Sequence, residues 1–176
     1  MDNVFLIGPM GSGKTSLGRR VAPRLGLDFI DLDEELERRC GVEVAVIFEI
    51  EGEAGFRQRE HELLAEIAAR DGQLVATGGG IVLDPRNRAI INASGHSVWL
   101  KASVDQQLRR LARDRRRPLL AAPDRHQRLL KMAEQRNPIY AATADHVVES
   151  RNLPVARMAR ELELKLKDVL QMAAST

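Results

Sequence analysis

Cysteine, aromatic residues and long apolar runs are all scarce in this chain of 176 residues. Its single cysteine, Cys40, excludes an internal disulfide and a metal cluster built from cysteines. Aromatic residues make up only 3% of the sequence, which leaves few side chains that could stack on nucleic-acid bases. No apolar run approaches the roughly 20 residues that span a bilayer. These absences and the length predict one globular cytoplasmic domain with no membrane partner.

Net charge is also small, at +2, but it is distributed unevenly. Residues 101–136 contain eleven lysines or arginines and four aspartates or glutamates. The same stretch contains no phenylalanine, tyrosine or tryptophan, so it is poorly suited to nucleic-acid binding by base stacking. A positive face of this kind suits either polyanion backbones or the phosphates and carboxylates of small ligands.

Short apolar runs alternate with helical stretches along the chain. The runs are rich in branched residues, as in strands buried on both faces, so they predict a parallel, doubly wound α/β sheet. Gly26 and Gly41 suit the left-handed residue that ends a helix. Ser103 and Asp124, each followed three residues later by glutamine, are predicted N-caps, and a last amphipathic helix is expected from Val155. The predicted strands are residues 4–7, 27–30, 74–76, 98–100 and 147–148.

The segment after the first predicted strand matches the phosphate-loop pattern G-x-x-x-x-G-K-[ST] at every fixed position. It reads Gly8-Pro9-Met10-Gly11-Ser12-Gly13-Lys14-Thr15, between a strand and a helix as the pattern requires. Glycines allow backbone N–H groups to approach phosphate oxygens, and the helix N-terminus adds a positive field. Lys14 is expected to reach the outer phosphates, and the Thr15 hydroxyl to hold Mg²⁺. The chain is therefore predicted to bind MgATP.

A phosphate loop alone does not separate kinases from GTPases or motor ATPases, so residues for an acceptor must lie elsewhere. Asp31 and Asp33 end the second strand, where side chains project toward a ligand crevice. Asp33 could equally cap the helix that follows. Gly78–Gly80 follow the third strand, and three consecutive glycines favour backbone close to a ligand over a plain turn. Arg57 lies behind an aromatic residue in a helical segment.

A basic loop bounded by prolines is the candidate lid. Residues 114–123 include Arg115, Arg116 and Arg117 between two predicted helices. Such a loop could exclude water and bring cationic groups to the transferring phosphate. A solvated run of charge is the alternative for Arg115 and Arg116.

Taken in order, these motifs resemble those of the bacterial shikimate kinases over essentially the whole chain. The resemblance rests on I-G-P-M-G-S-G-K-T, F-I-D-L-D, I-F-E-I-E-G-E-A-G-F-R-Q-R-E, the triple glycine, R-R-P-L-L and Q-R-N-P-I-Y. It implies a three-layer α/β/α P-loop kinase fold with a five-stranded parallel sheet. The implied single domain, 1–176, has a phosphate loop at 8–15, a substrate-binding helical region at about 31–60 and a short lid at about 111–124.

The resemblance also implies the reaction: ATP phosphorylates the 3-hydroxyl of shikimate to give shikimate 3-phosphate and ADP, on the pathway to chorismate and aromatic amino acids. One Mg²⁺ would bind with ATP, and the enzyme would be a cytoplasmic monomer with no nucleic-acid partner. The segment after Gly41 lacks the hydroxyl-bearing residue usual in the family, which touches the start of the substrate-binding region.

Individual roles are implied in the same way. Lys14, Asp33 and Arg117 would be catalytic, with Asp33 positioning or deprotonating the attacking hydroxyl. Asp31 would orient the magnesium shell through water, beside Thr15. The implied ATP-binding residues are Gly11, Ser12, Gly13, Lys14, Thr15, Ser16, Arg110, Arg117, Arg151 and Pro154. The implied shikimate-binding residues are Asp33, Arg57, Gly78, Gly79, Gly80 and Arg136, with the two arginines on the carboxylate.

Two alternatives remain open from the sequence. The first is another small-metabolite kinase of the same fold. A nucleoside monophosphate acceptor would need a base pocket and a larger lid, which so few aromatic residues and a short lid do not favour. Gluconate, in contrast, would also suit Arg57 and Arg136. The second alternative is a nucleic-acid-binding or regulatory protein that uses the nucleotide only as a ligand.

Overall fold

Five strands form one parallel sheet in the computed structural model, which describes residues 2–113 and 123–174. They are β1 (Asn3–Ile7), β2 (Asp28–Asp31), β3 (Gln73–Ala76), β4 (Gly95–Lys101) and β5 (His146–Glu149). Their order in the sheet is β2-β3-β1-β4-β5, and every neighbouring pair is parallel. The chain therefore crosses to the other side of β1 after β3, and a ligand crevice is expected at the carboxyl end of β1.

Helices cover both faces of the sheet, as the three-layer fold requires. The helices of the described residues are α1 (Lys14–Leu25), α2 (Leu32–Cys40), α3 (Val44–Ala68), α4 (Pro85–Ser94), α5 (Val104–Leu111), α6 (Arg125–Thr143) and α7 (Val155–Ala174), with a short 3₁₀ helix at Ile81–Leu83. None of them is long and apolar enough to cross a membrane.

Alternate residues of β1 supply the two halves of the core. Phe5 and Ile7 pack into a cluster with side chains of α2, α3, α4 and α6. Val4 and Leu6 face the opposite way and pack with α1 and α7. Because side chains alternate across a strand, a run that is apolar at every position is buried on both faces. The predicted α/β class and the position of all five strands are confirmed.

Most of the predicted helix ends are found in the structure. Gly26 and Gly41 end their helices with φ of 69° and 71°. Ser103 caps α5, and its side chain and that of Gln106 exchange hydrogen bonds with each other's backbone. Asp124 is the N-cap residue of α6 as predicted, but its backbone is not extended (φ −97°, ψ 19°) and its side chain makes no capping hydrogen bond. Its Oδ2 accepts from Arg128 Nε at 3.2 Å instead, so the predicted side-chain cap is wrong.

The long helix α3 is interrupted at Gly52. This residue has φ 71° and ψ −179°, a conformation that only glycine adopts without strain. The break separates the first two turns of α3 from the part that contains Phe56, Arg57 and Glu60. That second part places Arg57 and Glu60 next to the triple glycine that follows β3.

Candidate active site

The phosphate loop connects β1 to α1 at the centre of the sheet. Gly8 has φ 140°, and a Cβ there would lie 2.6 Å from the carbonyl oxygen of Leu100 on β4, so the loop can leave the sheet here only through glycine. Lys14 folds back over the loop and donates from Nζ to the carbonyls of Gly8 at 2.6 Å and Pro9 at 2.8 Å. The loop therefore encloses its own lysine at the carboxyl end of β1.

Asp31 connects the phosphate loop to the acceptor region. Its Oδ2 accepts a hydrogen bond from Thr15 Oγ1 at 2.5 Å, and its Oδ1 caps α2 by accepting from the N–H of Glu34 at 3.1 Å. Asp31, rather than Asp33, is thus the residue that caps the helix, so the capping alternative for Asp33 is wrong. Two hard oxygen donors, Thr15 Oγ1 and Asp31 Oδ2, meet beside Lys14, and such oxygens suit a divalent cation.

Asp33 lies in the first turn of α2 and faces the triple glycine. A Cβ at Gly78 would lie 3.3 Å from Asp33 Oδ1 and 2.7 Å from Glu60 Oε2. At Gly80 it would overlap Arg57 Nη2. Glycine at these two positions therefore lets the loop touch charged side chains that any other residue would displace. The triple glycine thus lies against the predicted acceptor side chains, and its role in binding a ligand stays a prediction.

Gly79 is the point where the two halves of the site meet. A Cβ there would lie 3.5 Å from both Arg136 Nη1 on α6 and the backbone N of Met10 in the phosphate loop. The side chains predicted for the acceptor are thus separated from the phosphate loop by only one backbone segment.

Glu60 is a site residue that the sequence analysis did not single out. Its side chain is 0% exposed, and Oε1 accepts a hydrogen bond from Arg57 Nη1 at 2.7 Å. Burial raises the pKa of Glu60, while the charges of Arg57 and Arg136 oppose that change and Asp33 adds to it. The sequence did contain a sign of this role. Glu60 follows Arg57 by three residues on a predicted helix, and residues at that spacing are neighbours on one face.

One continuous cleft joins the phosphate loop to the acceptor side chains. Its volume of about 1690 Å³ exceeds the ~300–1,000 Å³ of a typical single-ligand site, so it has room for two ligands at once. Among the residues that line it are Gly11, Gly13, Lys14, Thr15, Ser16, Asp31, Asp33, Arg57, Glu60, Gly78, Gly79, Gly80, Arg110 and Arg136. Ser12 is buried beneath the loop.

Arg110 on α5 holds the far end of the phosphate loop. Its Nη1 donates to Gly11 O at 2.9 Å and to Ser150 Oγ at 2.7 Å, and its Nη2 donates to Arg151 O at 3.2 Å. Burial lowers the pKa of Arg110. The loop after β5 reaches the cleft through Asn152 and Leu153 rather than through the predicted Arg151 and Pro154.

The predicted lid lies mostly outside the described residues. Residues 114–122, which include Arg117, are outside them. Three further arginines near the lid's two ends, Arg109, Arg113 and Arg128, also line the cleft.

Comparison with known proteins identifies the family. A family model described as shikimate kinase matches residues 10–167. A shikimate kinase of Pseudomonas paraeruginosa is 47% identical over 167 residues, covering 95% of this chain and 97% of that protein. One of Stenotrophomonas maltophilia is 49% identical over 164 residues, covering 93% and 91%. The solved structure of Acinetobacter baumannii shikimate kinase in complex with shikimate is 39% identical, with a TM-score of 0.89 and coverage of 96% and 94%.

The matches agree with the resemblance seen in the motifs and with the P-loop kinase fold. They span both the phosphate loop and the acceptor residues, so the likeness is not confined to nucleotide binding. The chain belongs to the shikimate kinase family.

Proposed function

We propose that this protein transfers the terminal phosphate of MgATP to the 3-hydroxyl of shikimate, giving shikimate 3-phosphate and ADP on the route to chorismate and the aromatic amino acids. One observation carries the proposal: Gly79 lies between Arg136 and the phosphate loop, so both reactants fit one cleft. Phosphoryl transfer depends mainly on holding attacking and leaving oxygens in line.

Arg57 and Arg136 are assigned to the carboxylate of shikimate. The planar guanidinium fork matches a carboxylate with two parallel hydrogen bonds, so two arginines orient the acid as well as attract it. Glu60 accepts from Arg57 Nη1 and so fixes the direction of that guanidinium. The triple glycine, Gly78 to Gly80, would add backbone N–H donors on the same side.

Asp33 is assigned to the attacking hydroxyl. In the proposed step the shikimate 3-oxygen forms a bond to the γ-phosphorus, the bond from that phosphorus to the β,γ-bridging oxygen breaks, and ADP leaves. The hydroxyl proton passes to the Asp33 carboxylate or is held by it while the bond forms. Asp31, not Asp33, caps α2, and the Asp33 side chain faces the triple glycine, which supports this assignment.

The nucleotide side of the proposal uses the phosphate loop and α5. Lys14 would exchange the carbonyls of Gly8 and Pro9 for phosphate oxygens, and Gly11, Ser12, Gly13 and Ser16 would surround the phosphates. Arg110 would border adenine together with Asn152 and Leu153, the residues by which the loop after β5 reaches the cleft. Arg117 would add its charge from the lid during transfer.

Thr15 and Asp31 fit a magnesium ion that arrives with ATP. Their facing oxygens are the donor type that Mg²⁺ prefers, and Thr15 follows the phosphate-binding lysine directly. Thr15 would bind the ion directly and Asp31 through water. When bound, Mg²⁺ neutralises charge that develops on the phosphate oxygens.

The decisive experiment measures ADP formation with shikimate, gluconate and nucleoside monophosphates in parallel. Turnover should occur with shikimate and be at least about 100-fold less efficient with the other acceptors, because the two arginines and Asp33 must all be matched by one ligand. Turnover only with gluconate or a nucleotide would overturn the substrate assignment and leave the kinase fold untouched. Salt-sensitive binding of DNA or RNA without turnover would favour the regulatory alternative.

We also propose that one chain acts alone as a cytoplasmic monomer. A single chain supplies both the phosphate loop and the acceptor residues of the cleft. Light scattering after size-exclusion chromatography should give the mass of one chain, 19.6 kDa, with and without ligands, and a dimer mass would contradict the proposal. Cell fractionation should recover the activity with cytoplasmic enzymes.

A further inference from the structure

The triple glycine has all three of its carbonyls engaged by the protein. The carbonyls of Gly78 and Gly80 accept from backbone N–H groups of the 3₁₀ turn that follows, at 3.2 and 3.1 Å. The carbonyl of Gly79 accepts from the hydroxyl of Tyr140. Within residues 2–113 and 123–174, none of the three glycine N–H groups has a hydrogen-bond partner. The carbonyl oxygens of this loop are therefore used within the protein, while its N–H groups can donate to a ligand.

Only the middle carbonyl depends on a side chain. The two outer carbonyls are held by the local turn, but Gly79 O is held by a residue 61 positions away in the chain. Within one planar trans peptide the carbonyl and the next N–H point in opposite directions, so holding Gly79 O also sets the direction of Gly80 N–H. Glycine allows such a peptide to rotate more freely than any other residue. A rotated peptide would present an oxygen, rather than an N–H, to an incoming carboxylate.

Tyr140 is itself held rigidly. It is 1% exposed, and its ring packs against that of Trp99 with centroids 5.7 Å apart. Burial raises the pKa of Tyr140 to about 12, against the opposing charge of Arg136, so the hydroxyl stays protonated and can donate. Tyr140 also lies one turn after Arg136 on α6, on the same face of that helix. One helix thus carries both a carboxylate ligand and the group that holds the loop opposite to it.

We propose that Tyr140 is a positioning residue for the acceptor: its hydroxyl holds the Gly79 carbonyl so that the triple glycine presents N–H groups to the substrate carboxylate beside Arg136. This inference rests on the proposed function, because it takes Gly79 and Arg136 as the carboxylate site.

The test is Tyr140→Phe, which removes only the hydroxyl. The KM for shikimate should rise by about 3- to 10-fold, the range expected for one neutral hydrogen bond, while the KM for ATP changes by less than about 2-fold. The matched control is Thr143→Val on the same helix, whose buried hydroxyl donates to Ile139 O and faces no ligand. Thr143→Val should leave both KM values unchanged even if it lowers the melting temperature.

A second variant, Arg136→Ala, tests the carboxylate site independently of the role of Tyr140. A raised shikimate KM in Arg136→Ala with an unchanged one in Tyr140→Phe would overturn the role of Tyr140 and leave the site standing. Unchanged values in both variants would overturn the role and the carboxylate assignment together. Equal losses in Tyr140→Phe and Thr143→Val would show a merely structural effect and also reject the proposal.

A measurement on the unaltered protein guards against a variant that does not fold. The sequence contains one tyrosine, so any tyrosine hydroxyl resonance in an NMR spectrum comes from Tyr140. A hydroxyl held by Gly79 O should give a slowly exchanging, downfield resonance. The Gly80 amide resonance should shift when shikimate is added. A hydroxyl proton in fast exchange with water would contradict the proposal.

Discussion

Lys14 and Asp33 line the same cleft with opposite charges, and each is expected to act on a different reactant. Replacing Lys14 by alanine should lower kcat by about 100-fold or more, because a preorganised charge near the transferring phosphate is lost. Lys131→Ala, an exposed lysine of α6, is the control and should leave kcat unchanged. Steady-state assays with a melting curve for each variant would decide, and near-normal turnover of Lys14→Ala would refute the assignment.

Asp31 caps α2 and Asp33 does not, so variants of these two neighbouring aspartates can be compared directly. Asp33→Asn should lower kcat by about 100-fold with little change in melting temperature, since general-base and positioning effects are of this size. Asp31→Ala should lose the cap of α2 and about 1 kcal/mol of stability. It should also require more Mg²⁺ for half-maximal rate. An Asp33→Asn variant that melts early but turns over normally would contradict the division of roles.

Glu60 gives a pH-dependent prediction. Burial raises its pKa, so the folded protein holds this proton more tightly than the unfolded chain. The free energy of unfolding should therefore decrease as the pH rises from the usual range of a glutamate through the raised value. In Glu60→Gln the free energy of unfolding should no longer show this decrease with pH. Glu62 is an exposed glutamate of the same helix, and Glu62→Gln should keep the decrease. Urea unfolding between about pH 4 and 8 measures both, and equal slopes in Glu60→Gln and wild type would contradict the prediction.

The helices α5 and α6 differ in whether a side chain caps their N-terminus. Ser103 exchanges hydrogen bonds with the first turn of α5, while Asp124 makes no such bond at the start of α6. Ser103→Ala should lower the free energy of unfolding by about 1 kcal/mol and Asp124→Ala by clearly less. Because α5 carries Arg110, Ser103→Ala should also weaken ATP binding. Comparable losses of stability in the two variants would contradict this difference between the two helix starts.

The two caps also show what a sequence can and cannot predict. The phosphate loop, the strands and the capping box of Ser103 depend on residues close together in the chain, so the sequence pattern was sufficient to predict them. Asp124 has the same local pattern as Ser103, but its backbone is not extended, and no nearby residue reveals that. Glu60 and Tyr140 act through contacts with the triple glycine, which the fold brings together from three distant segments. Such contacts require the topology of the sheet to be known first.

At the scale of the whole molecule, both ligands are expected to stabilise one cooperative unit. The phosphate loop and the triple glycine follow the neighbouring strands β1 and β3, so the nucleotide and the acceptor bind the same sheet edge. At about 100 times its Kd, a ligand adds about 2.7 kcal/mol, which corresponds to an increase of about 5–10 °C in Tm for a protein of this size. ADP and shikimate should each shift one single transition, and together they should shift it further. Calorimetry would show this directly, and two transitions of which shikimate moved only one would contradict a single domain over residues 1–176.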